Sequence, residues 1–127
     1  MVQDKHEQDV LTKTVIGCAY AVSNALGCGF LEKVYANALA HEVRKAGLRV
    51  EQQKAIQVMY DGVVVGDYVA DLVVEGLVLV ELKTAKAFDD VHVAQCLNYL
   101  KATGQRVCLL FNFGSPMVEV RRVVNKF

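Results

Sequence analysis

Apolar residues recur at helical spacing along the first third of the chain. Between about residues 9 and 26 they return every three or four positions, which predicts a helix that Asp9 or Thr12 could cap. A second helix is predicted over about residues 31–46, because two basic residues and then Gly47 form a stop signal.

Beyond this point the pattern changes to extended segments that are separated by turn residues. Strands are predicted over about residues 49–60, 63–74, 77–83, 106–112 and 117–124. A third helix is predicted over about residues 91–103, with Asp89 or Asp90 as its cap. The predicted order of elements is therefore ααβββαββ.

This order predicts an α/β fold with a mixed central β-sheet flanked by helices. Asp61 and Gly62 form a strong hairpin signal, so the first two strands should pair antiparallel. The strand–helix–strand unit over residues 77–112 implies a parallel pair with a right-handed crossover. Because no linker or internal repeat is visible, we expect residues 1–127 to form a single domain.

Charged residues interrupt the most apolar stretch of the chain, which runs from Asp71 to Lys83. A buried strand tolerates a carboxylate poorly unless that group is paired, protonated or bound to a metal. Asp71, Glu81 and Lys83 therefore need an explanation, whereas Glu75 lies at the expected turn.

The length of the loop after residue 74 decides how the two carboxylates are placed. A three-residue loop over residues 75–77 would set Asp71 opposite Glu81 on one face of the sheet. A two-residue loop would put them on opposite faces. Facing carboxylates repel each other unless a cation lies between them. Lys83 supplies one positive charge, and a hard divalent cation such as Mg²⁺ would supply more.

Composition and charge limit the classes of partner. The 14 basic residues balance the 14 acidic ones, which counts against tight non-specific binding to duplex nucleic acid. Charges break every apolar run before it reaches the length of a membrane span, and the N-terminal segment is too polar for a secretion signal. The expected compartment is the cytoplasm. The four cysteines lack CxxC spacing, which argues against a zinc site.

The motifs in this order resemble those of a known group of proteins. Asp71, followed after about ten residues by Glu81-Leu82-Lys83, resembles the signature of the PD-(D/E)XK nuclease superfamily. The segment from Gly29 to Tyr35 matches the motif that names the GxxExxY protein family, a small branch of that superfamily. The resemblance covers about residues 11–114 and implies a restriction-endonuclease-like core.

The resemblance implies a role for each candidate residue. Asp71 and Glu81 would bind the metal, and Lys83 would orient the attacking water or stabilise negative charge on the phosphate. Glu32 would complete the metal site as an accessory acid, and Gln95 would line the active cleft. The implied cofactor is Mg²⁺, with Mn²⁺ as a substitute. Both helices that carry Glu32 and Gln95 are expected over the same face of the sheet.

Three functions stay open at this stage. The leading one is a metal-dependent endonuclease or exonuclease that hydrolyses phosphodiester bonds in DNA or RNA. The alternative is a nuclease-like fold with weak or no catalysis that binds nucleic acid or protein, and a third reading is an accessory subunit. In each of these, Asp71, Glu81 and Lys83 could instead form a structural ion-pair cluster. The small recognition surface favours a homodimer or a partner protein.

Overall fold

The computed structural model describes residues 5–125; residues 1–4 of the polar N-terminal segment and residues 126–127 lie outside the described part. Within it the chain forms three helices and five strands in the predicted order, which confirms the α/β fold class. These elements are α1 Lys5–Leu26, α2 Glu32–Lys45, β1 Val50–Tyr60, β2 Val63–Val74, β3 Val78–Lys83, α3 Asp90–Thr103, β4 Val107–Asn112 and β5 Glu119–Val124.

Helix boundaries follow the local signals, with one correction. Helix α1 already includes Lys5, so neither Asp9 nor Thr12 caps it. The Thr12 hydroxyl instead donates to the carbonyl of Asp9, one turn back along the helix. At α3 the expected cap is found, because the Asp89 carboxylate accepts the backbone N–H groups of Val91 and His92. None of the described helices is long and apolar enough to cross a membrane.

The five strands form one sheet in the order β1-β2-β3-β4-β5. Every neighbouring pair is antiparallel except β3 and β4, which are parallel and are joined through α3 as predicted. Strands β1 and β2 are nearly twice as long as the others, and β3 pairs only with the last three residues of β2. The outer half of the β1–β2 hairpin therefore extends beyond the rest of the sheet.

The helices cover opposite faces of this sheet. Helices α1 and α2 pack on the face that presents Leu72, Val80 and Leu82, whereas α3 packs on the face that presents Val73 and Leu79. The expectation that α2 and α3 share one face was therefore wrong. Side chains alternate along a strand, so the even-numbered residues of β3 face α1 and α2 and the odd-numbered ones face α3.

The loop between β2 and β3 has three residues. Val74 pairs with Val78, and the connecting residues Glu75 and Gly76 both have positive φ, at 54° and 66°. The backbone N–H of Leu77 donates to the carbonyl of Val74 and closes the turn. Of the two loop lengths considered from the sequence, the three-residue one is confirmed, and it fixes the register on which the candidate site depends.

A fully buried asparagine holds the chain segment that leaves β3. The Asn112 side-chain amide donates to the carbonyl of Ala85 and accepts the N–H of the same residue, both at 3.0 Å. Its oxygen also accepts the N–H of Gly114, and its nitrogen donates to the Glu119 carboxylate. Asn112 thus ties the segment after Lys83 to the turn before β5.

Gly114→Ala is expected to lower the free energy of unfolding by about 2 kcal/mol or more, because a methyl group at this position would collide with the carbonyl oxygen of Ala85. The matched control is Gly17→Ala in α1, where a methyl group meets open space. That change should stabilise the protein by about 0.5–1 kcal/mol through helix propensity. Chemical denaturation measures both, and equal effects of the two substitutions would contradict the close approach.

Candidate active site

Asp71 and Glu81 meet where the β2–β3 pairing ends. The last paired residues are Leu72 and Val80, so the same register, continued by one residue, sets Asp71 opposite Glu81. Beyond that pair, a side chain replaces the backbone as the hydrogen-bond acceptor. Oδ2 of the Asp71 carboxylate accepts the backbone N–H of Leu82 at 2.8 Å. This hydrogen bond fixes the orientation of Asp71 beside the Glu81 carboxyl group.

Glu81 is the most strongly perturbed acid of the site. Its side chain is buried, with the residue only 7% exposed, and its Oε1 has no hydrogen-bond partner. Burial raises the pKa of Glu81 to about 9, and the neighbouring Asp71 carboxylate adds to the rise. A carboxyl group in this position holds a proton at neutral pH unless a cation compensates its charge.

Lys83 supplies the positive charge closest to the two acids along the strand. Its side chain is partly exposed, and its charge opposes the rise in the pKa of both Glu81 and Glu32. The backbone carbonyl of Lys83 accepts the N–H of Phe113, so the strand end is anchored to the chain just after β4. Among the described residues, the ammonium group therefore acts on these two acids through its charge and forms no ion pair with either.

Glu32 reaches the same region from the opposite side of the sheet. It is the first residue of α2 and is exposed, yet partial burial and then the Asp71 carboxylate raise its pKa. The fully buried Tyr35 fixes the preceding loop, because its hydroxyl donates to the carbonyl of Gly27 at 2.6 Å and accepts the N–H of Phe30. The Tyr35 ring also stacks on Phe113, with centroids 4.7 Å apart.

Gln95 is the candidate for which the structure shows no direct interaction with the other four among the described residues. It is exposed on α3, and among the described residues it forms no hydrogen bond with Glu32, Asp71, Glu81 or Lys83. Cys96 and Leu100, which follow it on the helix, point into the core between α3 and the sheet. The proposed place of Gln95 in the cleft stays a prediction.

A pair of stacked tyrosines next to Glu81 was missed by sequence reasoning. The rings of Tyr68 on β2 and Tyr99 on α3 lie nearly parallel, with centroids 3.7 Å apart. The buried Tyr68 hydroxyl has no hydrogen-bond partner, and burial and the nearby Glu81 raise its pKa. In the sequence, nothing distinguishes Tyr68 from a strand residue chosen for packing.

An open depression beside Asp71 was also missed. Its volume is about 370 Å³, and it lies between the first turns of α2 and the early part of β1. Its lining residues are Glu32, Lys33, Ala36, Asn37, Gln52, Gln53 and Asp71. No sequence signal indicates this depression, because Asn37 and Gln52 come from elements whose relative placement only the fold determines.

The carboxyl groups of the site are of the ligand type that divalent cations prefer, but they do not form a complete metal-binding cluster. Within residues 5–125, no set of three or more His, Cys, Asp and Glu side chains is gathered closely enough to hold a metal ion. The Asp71 and Glu81 side chains nevertheless lie on the same face of the two strands, opposite each other, and the unpartnered Oε1 of Glu81 is the hard oxygen ligand that Mg²⁺ prefers. The two residues present therefore suit such an ion.

Comparison with known proteins points to one superfamily. The family model of the PD-(D/E)XK nuclease superfamily matches residues 9–123, a segment that contains all five candidate residues. No curated protein and no solved structure matches the chain.

Glu81→Gln is expected to remove a pH dependence of stability. The folded state keeps the Glu81 proton up to about pH 9, whereas a free glutamate loses it near 4.5, so stability should fall as the pH rises between these values. At pH 8 without divalent ions, the free energy of unfolding of the variant should exceed that of the wild type by on the order of 2 kcal/mol or more. Urea denaturation across this pH range measures the difference.

The matched control is Glu51→Gln, at an exposed glutamate of β1 that forms a surface ion pair with Lys54. In this control, the free energy of unfolding should fall with rising pH as steeply as it does in the wild type. Parallel slopes for the wild type and Glu81→Gln would show that Glu81 is not held protonated in the folded chain.

Proposed function

The chain belongs to the PD-(D/E)XK nuclease superfamily, and on this basis we propose that it is a metal-dependent nuclease that hydrolyses phosphodiester bonds in nucleic acid. The observation that carries the proposal is the placement of Asp71 opposite the buried Glu81 near the end of β3, with Lys83 two residues further on. Burial makes this pair costly to keep, and perturbed acids of this kind concentrate at functional sites.

Asp71 and Glu81 are the residues that would hold the metal ion, with Glu32 as the accessory acid. Nucleases of this superfamily generally use divalent metal ions. When bound, such an ion lowers the pKa of a water molecule and neutralises charge that develops on the phosphate. We propose Mg²⁺ as the natural ion and Mn²⁺ as a substitute, since the ligands offered are carboxylate oxygens.

Lys83 and Glu32 have roles that follow from their positions. The partly exposed ammonium group of Lys83 can hydrogen-bond a phosphate oxygen and stabilise the negative charge that grows there during hydrolysis. Glu32 is exposed, so it is available to orient a water molecule beside Asp71. The loop that Tyr35 fixes sets the start of α2 and hence the approach of Glu32 to the pair.

We further propose that the chain belongs to the GxxExxY branch. The structure gives the motif a physical role: Gly29 has a φ of 114°, which favours glycine, and Glu32 begins the helix. Tyr35 is the buried residue whose hydroxyl fixes the loop before that helix. The three named positions of the motif thus act together to present one acid to the site.

The second candidate is a nuclease-like domain that binds nucleic acid or protein with weak or no catalysis. The formal net charge of zero supports it, because it leaves little general attraction for a phosphate backbone. Exposed apolar side chains on the projecting β1–β2 hairpin also favour a partner protein or a homodimer. These residues are Met59, Tyr60, Val63, Val64, Val65 and Val69.

Lys83→Ala is expected to lower the rate of Mg²⁺-dependent cleavage by about 100-fold or more, because it removes the charge that stabilises the reacting phosphate. Cleavage of a panel of single-stranded and double-stranded DNA and RNA, followed on gels, measures the rate. The matched control is Lys101→Ala, at an exposed lysine in the last turn of α3. This substitution should leave the rate unchanged.

The same panel distinguishes the two candidate functions. A wild-type protein that cuts no substrate, but whose binding to nucleic acid survives Glu81→Ala, would replace the nuclease by the binding module. Cleavage that persists in Lys83→Ala at the wild-type rate would remove Lys83 from the proposed machinery.

Mg²⁺ is expected to raise the melting temperature of the wild type at pH 8 by several degrees at saturating concentration, because it binds the Asp71 and Glu81 carboxylates of the folded state only and displaces the proton that Glu81 otherwise holds at this pH. Asp71→Asn and Glu81→Gln should each abolish most of this rise. Thermal unfolding at matched ionic strength measures it, with Mn²⁺ as a second ion. An equal rise in all three proteins would place ion binding elsewhere.

A further inference from the structure

The depression beside Asp71 has a polar wall that the proposed chemistry does not use. Asn37 on α2 and Gln52 on β1 form this wall, and the Gln52 side-chain nitrogen donates to the Asn37 side-chain oxygen at 2.9 Å. Among the described residues, nothing else hydrogen-bonds to the two amides. The pair therefore presents a free acceptor on Gln52 and free N–H donors on Asn37 to the open space.

The backbone next to this pair is strained. Gln53 lies within β1, yet its φ is 52°, a value that a side chain other than glycine seldom adopts within a strand. It is also the one residue of β1 left out of the pairing with β2, and it falls opposite Asp71. Such a conformation costs about 1–3 kcal/mol, and strain of this kind clusters at ligand sites.

Charge decides what kind of group fits the depression. Two of its lining residues, Glu32 and Asp71, are acids, and Lys33 is the single cation among them. A phosphate would be repelled from the amide wall by these acids, whereas a neutral planar group with adjacent donor and acceptor atoms would not. Nucleobases have such edges, and amide side chains match them by paired hydrogen bonds. A volume of about 370 Å³ falls within the usual range for a small-ligand site.

We propose that this depression is a subsite for one unstacked nucleobase, adjacent to the phosphate that is cut, and that Asn37 and Gln52 hydrogen-bond its edge while the kink at Gln53 shapes the wall. The inference rests on the proposed nuclease function and narrows its substrate to a strand in which a base is free to leave the stack. Single-stranded DNA or RNA meets this requirement at the lowest cost, because no base pair has to be broken.

The test compares a short fluorescent single strand with a strand of equal length that carries abasic sites throughout, in Ca²⁺ to suppress cleavage. Fluorescence anisotropy should show the wild type binding the base-carrying strand about tenfold more tightly, as expected for two modest hydrogen bonds. The double variant Asn37→Ala/Gln52→Ala should lose this preference while its affinity for the abasic strand changes less than about twofold.

Two further variants test whether the base preference depends on this depression. Gln57→Ala changes an exposed glutamine of the same strand outside the depression, and it should leave both affinities unchanged. Gln53→Gly relieves the positive φ, so it should raise the melting temperature while weakening binding of the base-carrying strand. A double variant that keeps the preference, or that loses affinity for both strands equally, would overturn the subsite while leaving the nuclease proposal intact.

Failure of the underlying function has a different signature. A wild type that binds neither strand and cuts no nucleic acid would overturn both proposals. A wild type that cuts nucleic acid but binds both strands equally would overturn the subsite alone.

Discussion

The register of the β2–β3 hairpin is the constraint on which the candidate site depends. Because the turn over residues 75–77 has three residues, Asp71 and Glu81 come to face each other instead of lying on opposite sides of the sheet. A turn one residue shorter would move the whole β3 set of side chains to the other face. Val80 would then take the place of Glu81 opposite Asp71 on the face toward α3, and the buried acid pair would not exist. A local choice of backbone at Glu75 and Gly76 therefore decides the chemistry five residues away.

The same register lowers the stability of the fold, because it buries an acid. Glu81 is buried with an unpartnered oxygen atom, beside another carboxylate and next to an unpartnered tyrosine hydroxyl. A sequence selected for stability alone would place an apolar residue here, as the neighbouring positions of β3 do. The surrounding structure holds this arrangement through rigid contacts. Asn112 binds the segment after Lys83, and Tyr35 fixes the loop before Glu32, so both approaches to the pair are set by fully buried side chains.

Much of the fold could be predicted from the sequence because its signals are local. Gly47, Asp61-Gly62, Asp89 and Gly104 each mark a boundary that the structure reproduces within one or two residues. The facing of Asp71 and Glu81 also followed, once a three-residue turn was assumed. The start of α1 did not, because its first turn carries polar residues that show no apolar period. The expected N-caps were consequently placed one turn or more inside the helix.

What could not be predicted depends on how distant elements are placed in space. The apolar pattern predicts the helix that carries Gln95, but it could not show that Cys96 and Leu100 would be the residues turned to the sheet. Nor could it show that α2 and α3 cover opposite faces. Asn37 and Gln52, fifteen positions apart in the chain, become neighbours only when α2 packs beside β1. The positive φ of Gln53 has no sequence signal at all, since glutamine does not favour that conformation.

The placement of groups around Asp71 bears on how a protein with no net charge could act on nucleic acid. Phosphate contacts normally supply most of the affinity, and their share here is limited by the balance of acids and bases. Asp71 lies between two environments: the buried pocket of Glu81 on the α3 side, and the open depression lined by amides on the α2 side. The first can concentrate charge for chemistry, and the second offers neutral hydrogen-bonding groups. An enzyme built in this way would take its affinity from bases more than from the backbone, so its binding should respond weakly to salt.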